Sequence, residues 1–278
     1  MSLMPPTTRS DAGNPRRIDE LAEALENVQA ARPIAMQVLQ LADDPDADAR
    51  KVAACIEQDP ILVAQVLRLA NSAAFGMARQ VKTTQIAVAI LGFSTIRSVA
   101  ILVASGLRNL KHPAPDGFWE HSAATAAACS VVSRHFGVSP GDGFAIGLIH
   151  DIGVPMLNTV DPVTYAAIGG ADDADASRRE ADEFGLSHAH AAAMVLSNWS
   201  FPETLVAAIS GHHEDEPADS HESRLLFAGD AIAHLASGSG GKADRARLQS
   251  LGFERGEIDR IVGDVGGRSG GILAGLLR

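Results

Sequence analysis

Ten histidines stand in 278 residues that hold one tyrosine and two tryptophans. Their placement says more than their number. His150 and Asp151 are adjacent at the end of an apolar stretch (Phe144, Ile146, Leu148, Ile149), and Gly153 follows. His121, His188, the pair His212-His213 and Asp230 stand far away in sequence. The separations are 29 residues (121 to 150), 37 (151 to 188), 24 (188 to 212) and 17 (213 to 230). Ligands this far apart converge only through the fold, which excludes a zinc finger or an EF-hand loop. A neutral imidazole offers one nitrogen to a metal, whereas a carboxylate has two oxygens and can bridge two metals. The mixed N/O set suits a divalent Fe, Mn, Ni, Zn or Mg, one ion or two, not a soft thiophilic one. Paired metals can ionise a water and aim it in line at a phosphorus.

A single histidine at a helix end is ordinarily a cap or a surface residue. His112, His135, His221 and His234 are read that way. His190 lies two residues from His188 and therefore points to another face. For His150-Asp151, spacing alone leaves two readings open, a ligand pair or a buried ion-paired couple. Asp230 sits in an apolar helical run (Leu225, Leu226, Phe227, Ala228, Ile232), where a solvated role is out of place.

The elements that would carry these residues read as helices almost throughout. Residues 1–16 have no period and form a loose arm. Residues 17–110 make an N-terminal helical bundle. Ile18, Leu21, Leu25 and Val28 form one stripe, Asp48 caps a helix, and Asp59-Pro60 opens another through an N-cap carboxylate and a proline at the first helical position. Thr83 or Thr84 opens the next helix and Gly92 closes it. Ser94 starts one more. Lys111–Gly117 (KHPAPDG) is the clearest internal break. A second helical unit covers 117–236, with helices over Phe118–Phe136, Gly143–Asp151, His188–Trp199, Pro202–His213 and Ser223–Ala236. After the SGSGG turn, 237–278 is a weakly helical tail, either a docked helix pair or mobile. No alternation of period two is sustained, so the fold class is all-α.

The formal net charge is −11, which is not the footprint of a nucleic-acid binder. Cys55 and Cys129 lie in Ala/Val-rich runs and read as buried free thiols. The richest apolar run, Ser98–Leu107, is short of the roughly 18–20 residues that span a bilayer. The N-terminus has no signal-peptide region, and Met4 reads as the natural start behind a three-residue leader. The expectation is a cytoplasmic protein with no membrane partner and no nucleic-acid partner.

His121, His150-Asp151 and Asp230 resemble the H…HD…D signature of the HD superfamily of metal-dependent phosphohydrolases. His188 and His212-His213 extend the likeness towards its cyclic-dinucleotide phosphodiesterase branch. Glu57–Leu62, Leu67–Ala73, Ala89–Gly92, the stretch from Glu180 to Trp199 and Phe201-Pro202-Glu203 resemble the HDOD family, the HD-related output domains. The likeness covers about residues 30 to 236. It implies an N-terminal helical bundle packed on an HD-like helical core, and a role in bacterial signal transduction. It also implies His121, His150, Asp151, His188, His212, His213 and Asp230 as metal residues, with His150 and Asp151 the catalytic pair of an active member.

The sequence departs from the phosphodiesterase branch where that branch carries phosphate-handling groups. Val154 stands where a lysine follows the HD-x-G run. Asp215-Glu216-Pro217 replaces a Gly-Tyr-Pro run, and Gly117 stands at an extra carboxylate position. A regulatory module acting through a signalling protein partner is therefore expected. The alternative is a metal-dependent phosphohydrolase acting on a phosphorylated small molecule. Arg68 and Asn71 are read as helix termination and packing, not partner contact.

Overall fold

A computed structural model describes residues 33–76, 80–105, 114–169, 175–199 and 201–277. The arm at 1–16, the Ile18–Val28 stripe, His112 and part of the KHPAPDG break lie outside the described residues. The described residues are helical and contain no strand, so the all-α class holds.

The first layer is α1 (Pro33–Asp43), α2 (Ala49–Ile56), α3 (Pro60–Ala70) and α4 (Thr84–Ala104). Asp48 and Asp59 cap α2 and α3 by accepting backbone N–H groups of their first turns, and Pro60 takes the first position of α3. Asn71 ends α3. Its side-chain amide donates to the carbonyls of Leu67 (2.9 Å) and Val81 (2.8 Å), and its oxygen accepts from Val81 N–H. Those bonds tie the loop before α4 to α3, a positional role as the sequence reading had it.

Helix α4 differs from expectation in one respect. Over 21 residues its hydropathy reaches 2.2, enough in length and composition to cross a membrane, and residues 140–160 also pass that test. The apolar run is longer than Ser98–Leu107 because Gly92, at φ 75, kinks the helix without ending the stretch. In the fold, α4 packs against α1, α2 and α3 on one side and the second layer on the other.

The second layer is built around α5 (Phe118–Val132). Against it lie α6 (Pro140–Ile149), α12 (His221–Ser237) and α14 (Arg255–Leu277). Helix α6 starts three residues earlier than its periodicity suggests, because Ser139 caps it and Pro140 takes the first position. Between α6 and α12 the chain runs through α7 (Gly153–Val160), α8 (Pro162–Ile168), α9 (Ala176–Phe184), α10 (His188–Asn198) and α11 (Glu203–Ser210), and α13 (Lys242–Ser250) precedes α14. The segment expected as a weakly helical tail is thus a docked helix pair. The glycines of α14 lower its intrinsic propensity. Ile258, Val265, Ile272 and Leu276 are nevertheless buried on one face, and it packs on α3, α5 and α12. Tertiary burial overrides propensity here.

Candidate metal centre

Each chemical residue stands at a helix end or on a buried face. His121 is in the first turn of α5. His150 caps the C-terminus of α6, and Asp151 occupies the turn before α7. His188 opens α10, which Ser187 caps. His212 and His213 lie in the turn just beyond α11, and Asp230 is buried within α12. Two glycines set the approach. A Cβ on Gly153 would run into the His188 carbonyl and lie 3.0 Å from Ala192 N, so α7 and α10 touch backbone to backbone. A Cβ on Gly229 would collide with the Cys129 thiol, so α12 closes on α5 one residue from Asp230.

These contacts bring all seven sequence-derived residues together. Asp151 Oδ2 lies 3.3 Å from His150 Nε2 and 3.5 Å from His121 Nε2. Its other oxygen, Oδ1, lies 3.2 Å from His212 Nε2 and 3.5 Å from His188 Nε2. His121 Nε2 is 3.1 Å from His150 Nε2 and 3.2 Å from Asp230 Oδ1. His188 Nε2 is 2.8 Å from His213 Nε2. The donor atoms fall into two groups, His121, His150 and Asp230 on one side and Asp151, His188, His212 and His213 on the other. One carboxylate oxygen of Asp151 faces each group.

Hydrogen bonding fixes the ring tautomers. His150 Nδ1–H donates to the Gly147 carbonyl (2.9 Å) and His212 Nδ1–H to the Ile209 carbonyl (2.6 Å). A carbonyl only accepts, so in these rings the proton is on Nδ1 and the Nε2 lone pair points inward. His212 Nε2 and Asp151 Oδ1 then face each other as two acceptors, and both are buried without a hydrogen-bond partner. A buried pair of this kind is costly unless a proton or a cation lies between them. Converging imidazole nitrogens and carboxylate oxygens, with orphaned acceptors, fit a divalent cation.

The charges agree. Burial pushes the Asp151 carboxyl up, but the facing His150 and then His188 pull it down further, leaving it well below the usual carboxylate range. Burial also acts against ionised Asp230, and the His121 hydrogen bond together with the charge of His234 overcomes it, again lowering the value. Burial lowers His150, and His213 drops to about 2 through burial and the neighbouring His212 and His188. The two carboxylates are held anionic and His150 and His213 neutral, the forms that bind metal, whereas the Glu180 hydrogen bond and the Asp151 charge raise His188 against its burial.

The fold also recruits residues the reading of single sites passed over. Glu180, fully buried, accepts from His188 Nδ1–H (2.7 Å), from His188 N–H (2.8 Å) and from the Tyr165 hydroxyl (3.0 Å). It orients the imidazole as a carboxylate behind a metal-binding histidine does. His234, taken as a cap or surface residue, stacks on His121 with centroids 5.1 Å apart, and its Nε2 is 3.7 Å from Asp230 Oδ1. Its signal was the i, i+4 spacing from Asp230. His135 and His221 lie elsewhere, facing the backbone carbonyls of Leu251 and Phe136. His190 is exposed and engages Ser187.

Residues 30–215 match the HDOD domain family. An uncharacterised protein of Treponema pallidum is 22% identical over 82% of this chain and 44% of its own length. The chain spans less than half the length of the curated relatives it matches (44% and 23%). Among solved structures, a Shewanella amazonensis protein provisionally named a phosphohydrolase superposes with a TM-score of 0.68. It is 23% identical, over 92% of this chain and 96% of its own. A Marinobacter aquaeolei protein provisionally named a signal transduction protein gives 0.70 at 24% identity, over 94% of this chain and 66% of its own. At these identities the likeness is one of fold.

Proposed function

This chain belongs to the HDOD family, and from that premise we propose that it is a bacterial signal-transduction module with a retained HD-type metal centre, acting mainly through a protein partner. One observation carries the metal centre: Asp151 turns one oxygen to each of two histidine groups, and its Oδ1 and His212 Nε2 are buried acceptors without a partner. His121, His150, Asp151 and Asp230 would hold one divalent ion, and Asp151, His188, His212 and His213 a second. Glu180 keeps His188 in register for this role.

The module reading is supported by what stands beside the centre. Val154, where the phosphodiesterase branch carries a lysine, is packed in the core at 2% exposure. An ammonium there would steady phosphate charge; a buried isopropyl group holds α7 against its neighbours instead. Asp215 and Glu216 follow the histidine pair and disfavour an anionic dinucleotide by like charge. Gly117, at the extra carboxylate position, offers no ligand and begins α5 in the left-handed region.

The completeness of the donor set favours a second reading, a metal-dependent phosphohydrolase acting on a nucleotide or another phosphate ester. Bound divalent ions would supply positive charge to a phosphoryl group. In this reading the chain's own part is to hold that charge between two histidine groups and to keep Asp151 ionised.

Elemental analysis of protein purified without chelator, a pull-down from the source cells and a phosphoesterase panel with Mn²⁺ test the two readings together. Metal bound, no turnover and a co-purifying signalling protein support the module. Turnover that Asp151→Ala abolishes supports the hydrolase, and metal-free protein removes the metal centre from both.

A further inference from the structure

We propose that the cavity where α14 meets α5, α6 and the first layer is a second ligand site, for a small phosphate ester with a flat aromatic body. The cavity measures about 490 Å³, within the range of small-molecule pockets. None of the seven donor residues of the metal centre lines it.

Charge is the first argument. The chain carries a formal net charge of −11, yet this cavity is lined by Arg134 and Arg268 and, among the described residues, by no acidic side chain. The two arginines come from different elements, Arg134 from the turn Ser133–Phe136 after α5 and Arg268 from α14. Both residues are exposed, so a ligand can approach them from solvent. No carboxylate of the described residues pairs with Arg134. Arg268 donates from Nε to Asp264 Oδ1 at 3.0 Å, one turn back on α14. That bond steadies the side chain and leaves the Nη groups for a ligand. Two guanidinium forks present more donors than one carboxylate accepts, and a phosphoryl group with three terminal oxygens matches them better.

The wall is the second argument. Phe75 and Phe144 meet edge to face with centroids 5.1 Å apart. Ile90 and Val131 stand on the same wall, and both are half-buried, as Phe75 is. Their open faces offer contact to a flat ring. Val131 and Arg134 stand one turn apart, and so do Arg268 and Ile272, which is buried. Cationic and apolar groups thus share each face that lines the cavity, as an anionic head on an apolar body requires.

The test is titration of the intact chain, at mildly alkaline pH, with benzylphosphonate, phenylacetate and methylphosphonate, followed by ligand-detected NMR. A phosphonate has no ester bond to hydrolyse, so a hydrolytic metal centre does not consume it. Three variants go through the same titration after circular dichroism has confirmed their fold. Arg134→Gln and Arg268→Gln each remove one fork, and Ser130→Trp fills the cavity from its half-buried wall. Benzylphosphonate should bind, and phenylacetate and methylphosphonate should each bind at least about tenfold more weakly. Each arginine variant should weaken benzylphosphonate by about tenfold or more. Ser130→Trp should abolish binding; if it does not fold, the two arginine variants carry the decision. Absence of benzylphosphonate binding overturns the proposal. Binding that survives Ser130→Trp, or that neither arginine substitution weakens, overturns it too, because the ligand then sits elsewhere, the metal centre included. Phenylacetate that binds as tightly overturns the phosphoryl assignment, and methylphosphonate that binds as tightly overturns the aromatic one.

Discussion

Substituting Gly153 by alanine tests whether backbone contact between α7 and α10 is what assembles the centre. The new Cβ would lie 2.7 Å from the His188 carbonyl carbon and 3.0 Å from Ala192 N, with the carbonyl oxygen nearer still. Ordinary contact starts at 3.4 Å, so the two helices must part by about 1 Å. Asp151 stands at one side of this contact and His188 at the other, 3.5 Å apart between Nε2 and Oδ1. The separation opens that gap. Overpacking of this kind costs about 1–3 kcal/mol, and at about 2–4 °C per kcal/mol for a chain of this size the melting temperature falls by about 2–12 °C. Metal bound by His188, His212 and His213 should fall with it. Differential scanning fluorimetry and elemental analysis measure the two effects. Gly256→Ala, where a Cβ meets nothing within 4 Å, is the control. A Gly153→Ala protein with wild-type melting temperature and metal content would show that this backbone contact does not assemble the centre.

Other expectations follow from the same geometry. Glu180→Gln keeps a partner for Tyr165 but not the carboxylate behind His188, so chelator competition should show metal affinity reduced by about 10–100-fold. In metal-free protein the folded-state value of Asp230 is depressed. Its stabilising contribution is therefore full above the unfolded value, near 3.8, and is lost as pH falls through the depressed value. The melting temperatures of wild type and Asp230→Asn should accordingly differ most near neutral pH and converge in acid, and a gap that widens on acidification contradicts this. Burial pushes the Cys129 and Cys55 thiols up. A disulfide-exchange reagent at pH 8 should find no fast thiol in the native protein and two in the denatured one; rapid native labelling would contradict that burial.

Much of this was legible in the sequence because it depends on local chemistry. The Asp48 and Asp59 caps and the Gly92 break each follow from a side chain and the backbone next to it. The clustered histidines and carboxylates were legible for a different reason. Buried helices tolerate few polar groups, so His150-Asp151 and Asp230 in apolar surroundings were conspicuous. What the sequence withheld depends on contact across the fold. Helix α14 is weak by propensity and exists because its face finds α5. His234 passed for a surface residue because its worth comes from stacking on His121, a residue 113 positions away. The place of Asp151 between the two histidine groups goes with two close approaches, at Gly153 and Gly229, and neither glycine announces its neighbour.

A cation held on both sides of Asp151 is visible by anomalous scattering from crystals of the protein grown without chelator, measured at the absorption edge of the metal that elemental analysis finds. Anomalous peaks should flank Asp151, one towards His121, His150 and Asp230 and one towards His188, His212 and His213. Density that holds only water between His212 and Asp151, in protein purified and crystallised with divalent metal present, would contradict this.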